Sequence, residues 1–162
     1  MAGKTLKPGR PAGFLTPDLK QAALGILGAV WIVWMPAQNP PIPVESANPY
    51  RSHEAQVCAQ RAFDALKRSP DDYWFVTFNT WRLVLYYDGF DVAWVWWRVT
   101  SFGAWVCDSP PVGLASNLVH EAQHHEDWWG CRTVWGLQAE GRALERQAEF
   151  LDRVGETALA AQ

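Results

Sequence analysis

Three of the four histidines lie within six consecutive residues, and two of them frame a short motif. The segment His120-Glu121-Ala122-Gln123-His124 has the pattern H-E-x-x-H. On a helix, residues four positions apart lie on one face, so two imidazoles at this spacing can bind one zinc ion. Glu121 lies beside them, where its carboxylate can take a proton from a zinc-activated water. The motif therefore predicts a Zn²⁺ site with His120 and His124 as ligands and Glu121 as the general base.

A zinc ion at such a site needs a third protein ligand. Asp127 and Gly130 occupy the positions where the extended motif H-x-x-G-x-x-H has its glycine and its third histidine, so that arrangement is excluded. A glutamate on a following helix is the other common source. The next helical segment offers Glu140 and Glu145, and the spacing alone leaves both open.

The residues after the motif have less specific roles. His125 lies about 100° around the helix from the second ligand, so we expect it to pack or to hydrogen-bond behind the site. The acidic pair Glu126 and Asp127 could orient a ligand histidine, but we expect both at the surface, near the helix end. Trp128 and Trp129 are expected in the core.

The last helical segment carries a resemblance to a known family. Both Glu140-Gly141-Arg142-Ala143 and Glu145-Arg146-Gln147-Ala148 match the pattern E-x-x-A. Together with H-E-x-x-H, this pattern resembles the gluzincin group of zinc metallopeptidases, especially its small single-domain members, over about residues 73–155. The resemblance implies that Glu140 is the third zinc ligand, because the ligand glutamate lies early in that helix.

The resemblance also implies an activity and a substrate. It implies hydrolysis of peptide bonds in a peptide or protein substrate through a zinc-activated water. The substrate is expected to lie along an edge strand of the sheet. A Tyr, His or Arg from elsewhere is expected to stabilise the oxyanion, and the candidates are Tyr86, Tyr87 and Arg142.

Helical spacing predicts three elements around the motif. Apolar residues recur with a helical period between Ala55 and Leu66, before Ser69-Pro70. After Pro110-Pro111 the pattern is again helical, and this helix carries the motif and ends at Gly130. A last helix is predicted over residues 139–154, with Gly155 as its stop.

The segment between these helices is rich in aromatic and β-branched residues, which is typical of strands. The composition of the segment Tyr73–Cys107 therefore predicts antiparallel strands. Asp88-Gly89 favours a two-residue hairpin turn, which would pair Tyr87 with Phe90, Leu85 with Val92 and Leu83 with Trp94. A second reversal is predicted near residues 101–103. The predicted fold class is α+β: an N-terminal helix, a small antiparallel sheet, the H-E-x-x-H helix and a C-terminal glutamate helix, preceded by one hydrophobic helix.

The first 35 residues form a separate region, with a basic start and an unbroken apolar run from Ala22 to Met35. A helix over residues 17–35 would be roughly 28 Å long, close to the thickness of the bilayer core. This predicts a single-pass membrane anchor with the remaining chain outside the cytoplasm. A cleaved signal peptide and a buried core helix are the alternatives. Proline-rich residues 36–51 are predicted as an extended linker, and residues 52–162 as the metallopeptidase-like domain.

Composition limits the partners. Fourteen basic and 17 acidic residues give a net charge of −3, without the basic face that a nucleic-acid partner requires. The predicted partners are a peptide or protein substrate and, through the N-terminal helix, a membrane; oligomeric state does not follow. Cys58, Cys107 and Cys131 allow one disulfide and one thiol, or three buried thiols. The alternative function is a membrane-tethered interaction or structural subunit whose zinc site is non-catalytic or absent.

Overall fold

A four-stranded sheet and the helices around it form the part of the chain that the structure, a computed structural model, describes: residues 40–89 and 91–160. The fold is α+β, as predicted. The strands are β1 (Val44–Ser46), β2 (Arg82–Leu85), β3 (Val92–Trp94) and β4 (Val99–Ser101). The helices are α1 (Ser52–Leu66), α2 (Pro70–Asn79), α3 (Trp105–Asp108), α4 (Pro111–Trp129), α5 (Leu137–Arg153) and α6 (Thr157–Ala160), with a 3₁₀ turn at Pro49–Arg51.

The sheet is mixed, with the order β1-β2-β4-β3, so the prediction of an antiparallel sheet is wrong in its pairing. β2 is parallel to both β1 and β4, and only β3 and β4 are antiparallel. The predicted Asp88-Gly89 hairpin between β2 and β3 does not form. The chain reverses instead at residues 95–98, where Trp94 pairs with Val99 and Val92 with Ser101. The predicted reversal near residues 101–103 does not lead into another strand, because β4 is followed by a three-residue loop and then by α3.

The aromatic segment that begins at Tyr73 is helical in its first part, which corrects the strand prediction there. Ser69 precedes α2, Pro70 takes its first position, and two aspartates lie in its first turn. These are signals for a helix start. The buried residues Tyr73, Val76 and Thr77 follow the helical period of three and four. The helix-start signals and the burial of one helix face therefore outweigh the strand propensity of the aromatic side chains.

Residues 36–51, predicted as a linker, contribute to the folded part of the chain. Val44–Ser46 pairs in parallel with Leu83–Leu85, and Ile42 is buried. The prolines do not prevent this, because Pro43 and Pro49 flank the strand and β1 is at the edge of the sheet.

Helix α4 is the central helix of the described residues. It contacts α1, α2 and α5, and its other side lies against β3 and β4. Pro111 occupies its first turn, where a missing N–H costs no hydrogen bond. α5 begins after Gly136 and is followed by Gly155, whose φ of +81° suits glycine. The predictions of the motif helix, of the last helix and of the helix near residues 55–66 are confirmed.

A disulfide joins Cys58 of α1 to Cys107 of α3, and Cys131 is an exposed thiol. The bond closes a loop of 49 residues that includes most of the sheet. Because α3 directly precedes the motif helix, the disulfide fixes the start of α4 relative to α1.

The predictions of a single-pass membrane anchor and of an extracytoplasmic domain are corrected. Within residues 40–89 and 91–160, no helix has both the length and the apolar character needed to span a bilayer. Even α4, with 19 residues, carries three carboxylates. The segment on which the prediction rested, residues 17–35, lies outside the described residues.

Candidate metal centre

Helices α4 and α5 bring three potential metal ligands together. His120 and His124 lie one turn apart on α4, and their Nε2 atoms are 3.3 Å apart. Glu140, in the first turn of α5, places one carboxylate oxygen 3.4 Å from Nε2 of His120 and the other 3.5 Å from Nε2 of His124. One donor atom from each residue can be chosen so that all three lie within 4.8 Å of one another.

These separations fit one small metal ion. Donor atoms around a tetrahedral zinc, with bonds of about 2.0–2.1 Å, lie roughly 3.3–3.4 Å apart. The shortest distances between the side chains are 3.3 Å between the two histidines and 3.4 and 3.5 Å from the histidines to different oxygens of Glu140. Two imidazole nitrogens and a carboxylate oxygen are also a donor set that zinc accepts. The residues present therefore fit a zinc ion.

The pKa values of the two histidines favour the form that binds metal. Burial lowers the pKa of His120, although the Glu140 carboxylate opposes this effect. Burial and then the neighbouring His120 lower the pKa of His124. Both rings are therefore neutral at pH 7, as a metal ligand must be.

Glu121 lies in the same cleft, which has a volume of about 330 Å³. The residue is only 9 % exposed, whereas Glu140 is half exposed at 51 %. Burial, then the charges of Asp91 and Glu140, raises the pKa of Glu121 to about 8, against an opposing backbone hydrogen bond from Ala93. A carboxyl group with a pKa near neutrality suits general acid–base chemistry.

The cleft is bounded by residues that sequence analysis did not select. One wall is Asp91 with the neighbouring strand β3, and another is Val134 and Trp135 in the loop before α5. Asp91 accepts a hydrogen bond of 3.0 Å from the Gly103 backbone and adds to the negative charge near Glu121. No local sequence pattern marks Asp91, because only the β3–β4 pairing brings it beside α4.

Asp127 is fully buried, so the expectation that it is a surface charge is wrong. Its oxygens accept hydrogen bonds from Gln123 at 2.9 Å and from Arg142 at 2.8 Å, and it forms an ion pair with Arg132 at 2.9 Å. Arg142 lies two residues after Glu140 on α5. Asp127 therefore ties α4 to the start of the helix that carries the third potential ligand.

His125 is buried, and its Nε2 lies 3.1 Å from the Thr100 hydroxyl of β4, in agreement with a packing role. Burial, with Arg98 and His124 nearby, lowers the pKa of His125 to about 3. Trp129 is half exposed, which corrects its assignment to the core.

Several sequence candidates lie away from the cleft. Glu145 lines a separate groove with Leu144 and Ala148. Tyr86 lies 3.3 Å from Glu54 and lines a different cavity, and Tyr87 does not line the cleft. Arg142 is engaged by Asp127 and the Thr133 carbonyl. Among the described cleft residues there is thus no tyrosine or arginine to stabilise an oxyanion.

Comparison with known proteins adds no family assignment. No family model, no curated protein and no solved structure matches this chain. The resemblance to gluzincins remains an expectation from the two short motifs.

Proposed function

We propose that this chain is a zinc-dependent peptidase in which His120, His124 and Glu140 hold the metal and Glu121 is the catalytic base. The observation that carries the proposal is a set of three protein donors, rather than four, at an open cleft that also contains a buried carboxyl group. Structural zinc sites have four protein ligands and are closed, whereas catalytic sites keep one position open.

The edge of the sheet supports a peptide substrate. β3 is the last strand in the sheet order, so its outer edge has unpaired backbone groups. The same strand lines the cleft through Val92 and Ala93, next to Glu121. An extended peptide added along this edge would place a backbone carbonyl beside the metal ligands.

The roles of the protein groups follow from their chemistry. Bound Zn²⁺ supplies positive charge, which lowers the pKa of a water and favours the ionised form of a nearby carboxyl group. Glu121 accepts the proton of the attacking water and then transfers it to the leaving amine. Val134 and Trp135 complete the lining of the cleft.

A metal and cleavage assay with a matched pair of variants tests the proposal. Glu140→Gln replaces the carboxylate of the cluster by a neutral amide, which is a weaker zinc ligand, whereas Glu145→Gln makes the same change five residues along α5, outside the cleft. We expect wild-type protein and Glu145→Gln to bind one zinc ion and to cleave members of a random peptide library. Cleavage should cease with a chelator and return with zinc, and Glu140→Gln should bind zinc weakly and cleave nothing.

Two results would contradict the proposal. Loss of zinc in Glu145→Gln but not in Glu140→Gln would show that the ligand set is wrong. Zinc binding by wild-type protein without cleavage of any library peptide would favour the structural role, in which the zinc is non-catalytic.

A further inference from the structure

A groove lined with tryptophans lies at the end of the sheet where the chain turns from β3 into β4. Its volume is about 630 Å³. Its lining includes four tryptophans, each between 48 % and 72 % exposed: Trp81, Trp96, Trp97 and Trp129. Exposed aromatic rings that lie together in this way mark a surface that binds a ligand or a partner. We call this feature the tryptophan groove.

Two of these rings are held in place by Arg98, which lies in the turn between β3 and β4. Its guanidinium lies 5.1 Å from the centre of the Trp81 ring and 4.9 Å from the centre of the Trp129 ring. The same guanidinium donates a hydrogen bond to the Phe78 carbonyl. The contacts also hold the turn, because Arg98 has a φ of +50°, which is uncommon outside glycine. Aromatic rings that are already fixed lose little side-chain entropy when a ligand binds.

The tryptophan groove continues the line of the metal cleft. On α4, Trp128 follows His124 as His124 follows His120, one turn each time, so the three side chains lie along one side of the helix. On the opposite wall, Val95 lines the cleft and the next residue, Trp96, lines the groove. The two walls meet where the rings of Trp96 and Trp128 pack with centres 4.1 Å apart. From His120 to Trp128 the helix advances about 12 Å, which is the length of about four residues of an extended peptide.

We propose that the tryptophan groove binds an aromatic side chain of the peptide substrate, about four residues from the scissile bond. The inference rests on the proposed function for the position of that bond. A peptide added along the edge of β3 passes Trp94, the last residue of the strand, and then reaches the turn that carries the groove. Stacked and edge-to-face contacts with the indoles favour an aromatic ring. Arg82, the one charged residue among the described residues of the groove, already pairs with Glu45 at 3.5 Å, so a charged side chain suits the groove less well.

Binding of a displayed random peptide library by the full-length chain tests this inference. A chelator is present throughout, so that no peptide is cleaved. Peptides bound by wild-type protein should be enriched in Trp, Tyr and Phe. Trp97→Ser should lose this enrichment and bind a selected aromatic peptide about 10-fold more weakly. Because Trp97 is 72 % exposed, the substitution should leave the fold intact.

Trp105→Ser is the matched control. Trp105 is also an exposed tryptophan, but it lines a different groove. This variant should bind the same peptides as wild-type protein, with the same enrichment. An equal loss of binding in Trp105→Ser and Trp97→Ser would overturn the inference, because it would reflect general adhesion to exposed indoles.

The wild-type selection by itself can overturn the inference, since bound peptides without aromatic enrichment would contradict it. So would a dimer of wild-type protein that dissociates in Trp97→Ser, because the groove would then bind a second copy of the chain. Cleaved peptides without an aromatic residue about four positions from the scissile bond would overturn the inference and leave the peptidase proposal standing. Conversely, aromatic peptides that bind through Trp97 to a chain that cleaves nothing would uphold the groove as a peptide-binding site and refute the peptidase proposal.

Discussion

Replacement of Glu121 by glutamine should change how the stability of the metal-free protein depends on pH. Burial and two neighbouring carboxylates raise the pKa of Glu121 from 4.5 to about 8. Between these values the folded state holds a proton that the unfolded state has released. Stability therefore falls as the pH rises through this range, and the loss is complete above about pH 8.

The size of the effect follows from the pKa values. At about 1.4 kcal/mol for each pH unit, a rise from 4.5 to about 8 corresponds to about 5 kcal/mol. Glu121→Gln has nearly the same shape and cannot ionise, so this loss should be absent. His120 and His124 titrate in the opposite direction, because their lowered pKa values make the folded state less stable below pH 6.5. Both histidines are present in wild type and variant, so the difference between the two proteins isolates Glu121.

The assay is urea unfolding of both proteins with a chelator, at intervals from pH 4.5 to 9. The free energy of unfolding of wild type relative to Glu121→Gln should fall by about 5 kcal/mol across this range. Asp91→Asn provides a second check, because loss of the second-largest cause should lower the pH at which the fall is centred. If the free energies of unfolding of wild type and Glu121→Gln depend on pH in the same way, Glu121 is not a buried carboxyl group with a raised pKa.

Two further predictions concern the support of the site. Asp127→Ala should destabilise the protein by about 2–4 kcal/mol in urea unfolding and weaken zinc binding, because it leaves the groups that contact a fully buried carboxylate without their partner. Glu126→Ala removes a half-exposed ion pair with Arg132 and one hydrogen bond from Gln123, so it should cost only about 1 kcal/mol. Equal effects of the two substitutions would contradict the assigned role of Asp127. Replacing Cys58 and Cys107 together by serine should cost about 2–4 kcal/mol by the same measurement, since their bond closes a 49-residue loop. Cys131→Ser should change little, and a larger effect at this exposed thiol would show that the disulfide is not the main cysteine contribution.

The parts of the fold that follow from local pattern could be predicted from the sequence. The motif helix and the last helix have helical periodicity and clear ends at Pro111 and Gly155. The pattern E-x-x-A left Glu140 and Glu145 open, and the resemblance to gluzincins favoured Glu140, which the structure brings within 3.5 Å of both histidines. The step from that cluster to zinc and catalysis stays a prediction.

The sheet could not be predicted in the same way, because its pairing depends on contacts distant in sequence. Asp88-Gly89 favours a local hairpin, yet Leu83 pairs with Val44 of β1 and Thr100 of β4 in parallel. Parallel pairing has no turn signal of its own. Asp91 was missed as a site residue because its position in the chain carries no local signal. It comes to the cleft only when β3 packs against α4.

The rate of peptide hydrolysis by Glu121→Gln, relative to wild type at equal zinc occupancy, tests the central claim most directly. The peptide is one that wild-type protein cleaves. Glutamine keeps the shape of the side chain but cannot accept a proton, so zinc should still bind. Turnover should fall by a factor of about 10² to 10⁴ or more. A Glu121→Gln protein that binds zinc and cleaves the same peptide at nearly the wild-type rate would contradict the assignment of Glu121 as the base.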